Sequence, residues 1–357
     1  MIFFVLILLL LIFNRAEFAS PNKFHADYIS KDRTNAIKGI FVALILLSHG
    51  RQYMELSGAY DSPYLTLQNH LGQMVVAMFL FYSGFGIMES IKRNGYGYVK
   101  SIPLKRFPSV LLNFNIALVL YLALGLYSGK TYDIKTILLS MVGWKSVGNS
   151  NWYMFAIFVL YILTFISFFF IKWVKNKRLY LIGIIILTAL TVGFVYWEIS
   201  IGQPHYSYDT VILFVLGCYY SYFKNVIEKI LMKNDMIYFF ILFLIIAVYV
   251  VSFRYRWSGG IEVYTVWAAA FTMLTVVLTM KISIQNSALS WLGSHVFSIY
   301  ILQRIPMTLL SGLGLAQSHK YTFLIVSVAA TIVMAAVFDH YTAKLTKAIW
   351  KTKGEAK

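Results

Sequence analysis

The chain has 357 residues, of which 59% are hydrophobic and 13% are charged, whereas a typical soluble protein has about 25% charged residues. So few charged side chains cannot cover the water-facing surface of a chain this long, which excludes a soluble enzyme, a disordered chain, a coiled coil and a disulfide scaffold. The net charge of +17 does not indicate nucleic acid, because no basic soluble module is present to bind it; in membrane proteins, basic residues gather in cytoplasmic loops and meet anionic lipids.

The first predicted element is a short apolar run from Phe3 to Phe13. Its length fits the core of a signal peptide, but the basic residue that normally precedes such a core is missing. Cleavage after it would also leave the basic stretch 23–38 outside the cell, against the charge pattern of the remaining chain. We therefore predict a short hydrophobic helix with its N-terminus outside, followed by a basic linker, over residues 1–30.

Residues 31–357 are predicted to form an all-α domain, a polytopic membrane helical bundle. A helix that crosses the membrane needs about 20 mostly apolar residues. Ten such segments follow one another along the chain, at roughly 36–53, 72–91, 107–127, 152–171, 180–198, 207–223, 236–253, 262–280, 295–315 and 321–340.

Basic residues precede the first segment, as Lys31 does, follow the tenth, as Lys344 does, and favour every second connection between the segments, for example the one that carries Arg106. The third and seventh connections follow this alternation least well. Because a missed or invented helix would invert the pattern downstream, the alternation supports ten segments. By the positive-inside rule, both ends of the bundle face the cytoplasm, including the C-terminus, and we expect the protein in the plasma membrane.

Two ionisable residues of the first of the ten segments, Lys38 and His49, are eleven residues apart. Eleven residues bring a helix within about 20° of three full turns, so the two side chains share one face, separated by about 17 Å along the axis. Ionisable groups at membrane depth are costly and often functional. From the spacing alone, His49 is a catalytic group, a histidine satisfied by packing or a histidine at the membrane interface.

Five short motifs lie in a fixed order on successive predicted helices. They are Lys38 followed by ten mostly apolar residues and His49; the aromatic-rich run 78–85, which ends in Ser-Gly-Phe; Lys105 and Arg106 before Pro108; Asn151, Trp152 and Tyr153 at the start of the fourth segment; and the run 298–303 in the ninth. Together they resemble the signature of the acyltransferase family 3 membrane proteins, over about residues 33–345.

The resemblance implies transfer of an acyl group, usually acetyl from acetyl-CoA, to a hydroxyl of a cell-surface polysaccharide or lipid-linked sugar. His49 would act as general base or as acyl carrier, because a sugar hydroxyl must lose its proton as it attacks and a neutral imidazole suits that task near pH 7. A dyad of Ser48 and His49 is not expected, since neighbouring helix positions point about 100° apart.

Two positions depart from the family pattern. Lys38 stands where arginine is usual, and an ammonium group lacks the two-pronged geometry with which a guanidinium binds phosphate. Gln303 stands where the family has a late histidine. The second departure removes a possible proton-transfer partner, but it leaves the role implied for His49 in place.

The phosphates of CoA arrive from the cytoplasm, where the chain carries Lys92, Arg93, Lys105 and Arg106. We expect some of these residues, together with Lys38, to bind the nucleotide, the alternative being that they only set topology. Arg304 in the ninth segment could bind substrate, stabilise an oxyanion or pair with a carboxylate such as Asp209 or Glu262. Trp152 and Gln303 are expected to contact substrate.

No histidine, cysteine or carboxylate pattern with metal-ligand spacing is apparent, so no metal is expected. A transporter or flippase of a lipid-linked glycan, without acyl transfer, is the alternative function, since such a protein would also be polytopic and basic. A receptor or assembly subunit is a third. We also expect membrane lipids as partners and, if the acceptor does not reach His49 directly, a separate glycan-assembly protein.

Overall fold

Helices form almost all of the computed structural model, which describes residues 1–173 and 176–352. Residues 174–175 and 353–357 of the predicted membrane domain lie outside the described residues. In the described part the α-helices are α1 Ile2–Phe13, α2 Lys31–Arg51, α3 Ser62–Leu71, α4 Met74–Asn94, α5 Tyr96–Ser101, α6 Phe107–Tyr127, α7 Ile134–Met141, α8 Trp152–Phe168, α9 Tyr180–Ser200, α10 Leu213–Leu231, α11 Asp235–Tyr255, α12 Gly260–Thr279, α13 Ser287–Ser294, α14 Val296–Leu302, α15 Arg304–Gly312, α16 Leu315–Ser318 and α17 Lys320–Thr352. The predicted all-α membrane fold is confirmed.

Each of the ten predicted segments overlaps one long helix or, for the ninth, the pair α14 and α15; the sixth, predicted at 207–223, is displaced, since α10 is Leu213–Leu231. Seven helical stretches in the described residues are long and apolar enough to cross a membrane: Ser62–Asn94, Tyr96–Tyr127, Trp152–Lys172, Tyr180–Ser200, Asp235–Tyr255, Gly260–Thr279 and Lys320–Ile349. The other three segments do not meet that criterion by themselves, because α2 and α10 carry several charged residues and the ninth is interrupted at Gln303.

Glycines bring the central helices into close contact. A Cβ atom on Gly39 of α2 would overlap the carbonyl oxygen of Leu289 on α13, and one on Gly293 of α13 would overlap the carbonyl of Asn35 on α2. Gly84 of α4 meets the backbone of α10 in the same way. Small residues at membrane helix interfaces allow backbones to approach closely, since packing rather than the hydrophobic effect holds such helices together. These contacts fix α2, which carries Lys38 and His49.

Helices α5 and α6 are joined through a π-helical turn, Ile102–Arg106, in which the N–H of Phe107 bonds to the carbonyl of Ile102 five residues earlier. The turn includes Pro103 and is followed by Pro108. Proline removes a backbone donor and disturbs the regular α-helical ladder. The turn ends at Arg106, and π-turns inside helices are frequent at functional sites.

The N-terminal helix α1 runs along the bundle between its two ends. Near its start, the amino group of Met1 lies 2.8 Å from Asp61, which follows α2 in the chain, and Lys320 at the start of α17 lies 2.6 Å from the same carboxylate. Beyond α1, strand β1 (Ala16–Phe18) pairs antiparallel with β2 (Ile282–Ile284). The start of α1 therefore lies at the same end of the bundle as the C-terminal end of α2.

Candidate active site

His49 lies near the C-terminal end of α2 and lines a cavity of about 670 Å³, here called the His49 cavity. Ser30 is the N-cap of α2, and its hydroxyl accepts a hydrogen bond from the N–H of Arg33 at 3.4 Å. This cap satisfies one of the free N–H groups of the first turn. The polar lining comes from α2 itself, from α3, from the loop before α8 and from α15, and includes Gln52, Gln68, Asn149, Ser150 and Arg304.

A second cavity, of about 560 Å³, lies towards the other end of α2 and is here called the Lys38 cavity. Its basic lining residues are Lys31, Lys38 and Arg106, and most of the remaining lining is aromatic or aliphatic. The ammonium of Lys38 lies 5.6 Å from the centre of the Tyr82 ring. A cation can be stabilised by the face of an aromatic ring at such a distance.

Three residues line both cavities: Ile45 on α2, Val76 on α4 and Tyr300 on α14. Ile45 precedes His49 by one helical turn, so it lies on the same face as His49, on the side of Lys38. The two cavities are therefore separated by a thin layer of side chains at one level of the bundle. A molecule that reaches this layer from the Lys38 cavity comes close to a group held in the other cavity.

The imidazole of His49 is close to this layer. Its ring centre lies 6.4 Å from that of Tyr300, and its buried Nδ1 has no hydrogen-bond partner among the described residues. Gln303 is fully buried beside it, where the amide nitrogen donates to the carbonyl of Tyr300 at 3.2 Å. A buried nitrogen without a protein partner is able to take a proton from a bound hydroxyl.

Arg304 begins α15, at the interruption of the ninth segment, and its guanidinium bonds to two neutral groups. The Nε atom donates to the hydroxyl of Ser150 at 2.9 Å, and a terminal nitrogen donates to the side-chain oxygen of Gln52 at 2.7 Å. The suggested ion pair with Asp209 is wrong, because that carboxylate instead accepts from Nδ1 of His205 at 2.7 Å. The described residues likewise show no pairing of Arg304 with Glu262.

Trp152 and its neighbour Tyr153 open α8 and face different cavities. Trp152 lines the His49 cavity, with its ring centre 6.2 Å from that of Tyr206. Tyr153 lines the Lys38 cavity and lies 5.4 Å from Tyr300. Consecutive helix positions point about 100° apart, so the start of α8 contributes one side chain to each cavity.

Some of the basic residues Lys92, Arg93, Lys105 and Arg106 are expected to bind the nucleotide, and of these four only Arg106 lines the Lys38 cavity. Its guanidinium lies 5.2 Å from the centre of the Tyr161 ring. Lys92 instead pairs with Glu89 at 2.6 Å and donates to the carbonyl of Ser221 on α10 at 2.7 Å.

The side chains of Arg93 and Lys105 are exposed, and neither residue lines the His49 cavity or the Lys38 cavity. The four residues therefore do not form one site, because neighbouring positions on a helix point in different directions.

Lys31 was missed as a site residue by the sequence reasoning, although the signal was present. It lies seven residues before Lys38 on α2, about two helical turns, and so occupies the same face. The sequence indicates Tyr300 only as part of a motif, whereas in the structure it lines both cavities. Among the described residues, no group of three or more His, Cys, Asp or Glu side chains could hold a metal ion.

Residues 32–339 match the sequence profile of a family described as "Acyltransferase domain". A search of curated proteins finds no match, and a search of solved structures finds none either. The matched range covers nearly the whole chain and includes every lining residue of both cavities except Lys31, in agreement with the resemblance carried by the motifs. The chain therefore belongs to this acyltransferase family, and the protein is a multi-pass membrane acyltransferase.

Proposed function

We propose that the protein is an acetyl-CoA-dependent O-acetyltransferase that modifies a hydroxyl of a cell-surface polysaccharide or lipid-linked sugar. The observation that carries this proposal is the pair of cavities that share Ile45, Val76 and Tyr300 in their linings, with His49 lining one and Lys38 the other. Such an arrangement lets a donor and an acceptor enter from opposite ends of the bundle and meet at one imidazole.

The Lys38 cavity is the donor site in this proposal. It lies at the basic end of the bundle, which by the positive-inside rule faces the cytoplasm, where acetyl-CoA is found. Lys31 and Arg106 would bind the phosphates of CoA, and Lys38, about 10 Å deeper along α2, would hold the arm that carries the acetyl group. From Lys38 to His49 the helix rises about 17 Å, roughly the thickness of one monolayer.

The His49 cavity is the acceptor site. A sugar hydroxyl there gives its proton to the unprotonated imidazole nitrogen of His49 as its oxygen attacks the thioester carbon. The C–S bond then breaks, the acetyl group remains on the sugar oxygen, and the proton passes from His49 to the departing CoA thiolate. In the alternative route the imidazole first accepts the acetyl group and then transfers it to the hydroxyl.

The charge that develops on the thioester oxygen must be stabilised near the separating layer. Tyr300 lies there with a buried hydroxyl that has no hydrogen-bond partner among the described residues. Donors that are already oriented towards a developing oxyanion stabilise the transition state without reorganisation. Gln303 holds the backbone of Tyr300 in place through its 3.2 Å hydrogen bond, so this glutamine positions the tyrosine rather than transferring a proton.

The proposal places the protein in the plasma membrane with its C-terminus in the cytoplasm. It is tested by supplying membranes that contain the protein with acetyl-CoA labelled in the acetyl group, and by comparing surface glycans with and without the protein by proton NMR. We expect label in the glycan and a new acetyl signal that identifies the modified hydroxyl. If no label leaves acetyl-CoA while glycan still crosses the membrane, a flippase replaces the enzyme as the function.

A further inference from the structure

The charge of the His49 cavity is unbalanced. Arg51 and Arg304 both line it, and no Asp or Glu is among its lining residues in the described part of the chain. Asp209 lies four residues after His205, which is also a lining residue. The Asp209 carboxylate is largely buried and accepts a hydrogen bond from Nδ1 of His205 at 2.7 Å. The two arginines therefore line the cavity without an acidic residue in its lining.

Arg304 has unused capacity for binding. A guanidinium carries five N–H donors, and the two hydrogen bonds to Ser150 and Gln52 engage two of them. Those partners orient the group but carry no charge. A cation held inside a membrane protein is costly unless it is paired or solvated, so a cavity built in this way favours an anionic occupant.

The rest of the lining suits a sugar. The rings of Trp152, Tyr206 and Trp257 offer apolar faces on which the C–H side of a sugar ring can pack, and the amides of Gln68 and Asn149 offer both donors and acceptors for hydroxyl groups. Binding sites of this kind combine an apolar wall with a few convergent polar groups that fix the orientation of the ligand.

We propose that the acceptor is an anionic sugar, whose carboxylate or phosphate is bound by Arg304 and Arg51 while the hydroxyl to be acetylated lies at His49. This inference rests on the proposed function, in that it takes the His49 cavity as the acceptor site. The guanidinium geometry matches both carboxylate and phosphate oxygens. The anionic group could therefore belong to the sugar ring itself or to a phosphate that links the sugar to a carrier.

The test measures binding of three matched probes, glucose, glucuronic acid and glucose 1-phosphate, to the purified full chain by titration calorimetry without acetyl-CoA. We expect at least one of the two anionic sugars to bind about 10- to 100-fold more tightly than glucose, the range that a charge-assisted hydrogen bond supplies. The preference should weaken as salt is raised. Tighter binding of glucuronic acid identifies a sugar carboxylate, and tighter binding of glucose 1-phosphate identifies a phosphate. Equal binding of all three probes, or no binding of either anion, overturns the proposal.

Variants separate a binding role of Arg304 from other roles. Arg304→Gln should remove the preference for the anionic sugar, whereas Arg304→Lys should keep part of it because the charge remains. The matched control is Arg254→Gln, an exposed arginine of α11 outside the cavity lining, which should keep the preference. The salt titration uses the unaltered protein and does not depend on any variant folding. If Arg304→Gln retains the preference, the assigned contact is wrong.

A transfer assay distinguishes failure of this inference from failure of the proposed function. Release of CoA and labelling of each probe sugar are followed with acetyl-labelled acetyl-CoA. If the protein acetylates glucose as fast as both anionic sugars, acyl transfer stands and the anionic acceptor is refuted. If it binds an anionic sugar selectively but releases no CoA, the anion site stands and acyl transfer is refuted.

Discussion

Replacing His49 by alanine is expected to abolish acetyl transfer while leaving the fold intact. The imidazole faces a cavity of about 670 Å³, so its removal enlarges an open space and does not create a closed void in a packed core. The free energy of unfolding should therefore change by less than about 1 kcal/mol.

The catalytic effect should be much larger. A positioned general base contributes about 10²- to 10⁴-fold to rate, equal to about 3–5 kcal/mol of activation free energy. The assay measures the initial rate of acetyl transfer from labelled acetyl-CoA in membranes, normalised to the amount of protein. The matched control is His319→Ala, an exposed histidine between α16 and α17, which should retain full activity and full membrane levels.

Two further measurements distinguish a base from an acyl carrier at His49. The space left in the His49→Ala variant can admit free imidazole, so added imidazole should restore part of the rate if His49 acts as a base. If His49 carries the acyl group, acetyl label should remain on the intact protein when acceptor is withheld, and should be missing from the variant. A rate loss below about 10-fold in His49→Ala, outside the range of a positioned base, would refute its catalytic role.

The remaining predictions concern the donor site and an ion pair at the bundle end. Lys38→Arg should retain more activity than Lys38→Ala, because charge rather than fork geometry is required; equal losses in a transfer assay would contradict this. Arg106→Ala should raise the KM for acetyl-CoA about 10-fold or more, as expected for a lost charge-assisted hydrogen bond. The control Arg93→Ala changes an exposed residue outside both cavity linings and should leave this KM unchanged. Similar kinetics of the two variants would show that Arg106 is not part of the donor site. Burial raises the pKa of Asp61, but hydrogen bonds from Lys320 and the Met1 amino group outweigh it and lower the pKa from 3.8 to about 2. A lowered pKa stabilises the fold above pH 3.8, and this contribution is lost as the pH falls through about 2, so thermal unfolding of Asp61→Asn should depend less on pH in that range than unfolding of the unaltered chain.

Features that depend on residues close together along the chain can be predicted from the sequence. The length of apolar runs predicts the helices because a fixed rise per residue must cross a membrane of fixed thickness. The shared face of Lys38 and His49 follows from helical periodicity alone, and the structure places both in cavities on that face. The position of Lys31 was readable by the same rule, two turns earlier, although the sequence reasoning did not use it.

Only the tertiary structure decided which distant residues meet. Tyr300 and Arg304 reach the His49 cavity from about 250 residues further along the chain, because glycine contacts hold α2 tightly against α13, the helix that precedes α14. Similar basic residues were separated by packing: Arg106 faces the Lys38 cavity, whereas Lys92 pairs with Glu89. Periodicity fixes the face on which a residue lies, but the partner of that face depends on how whole helices pack.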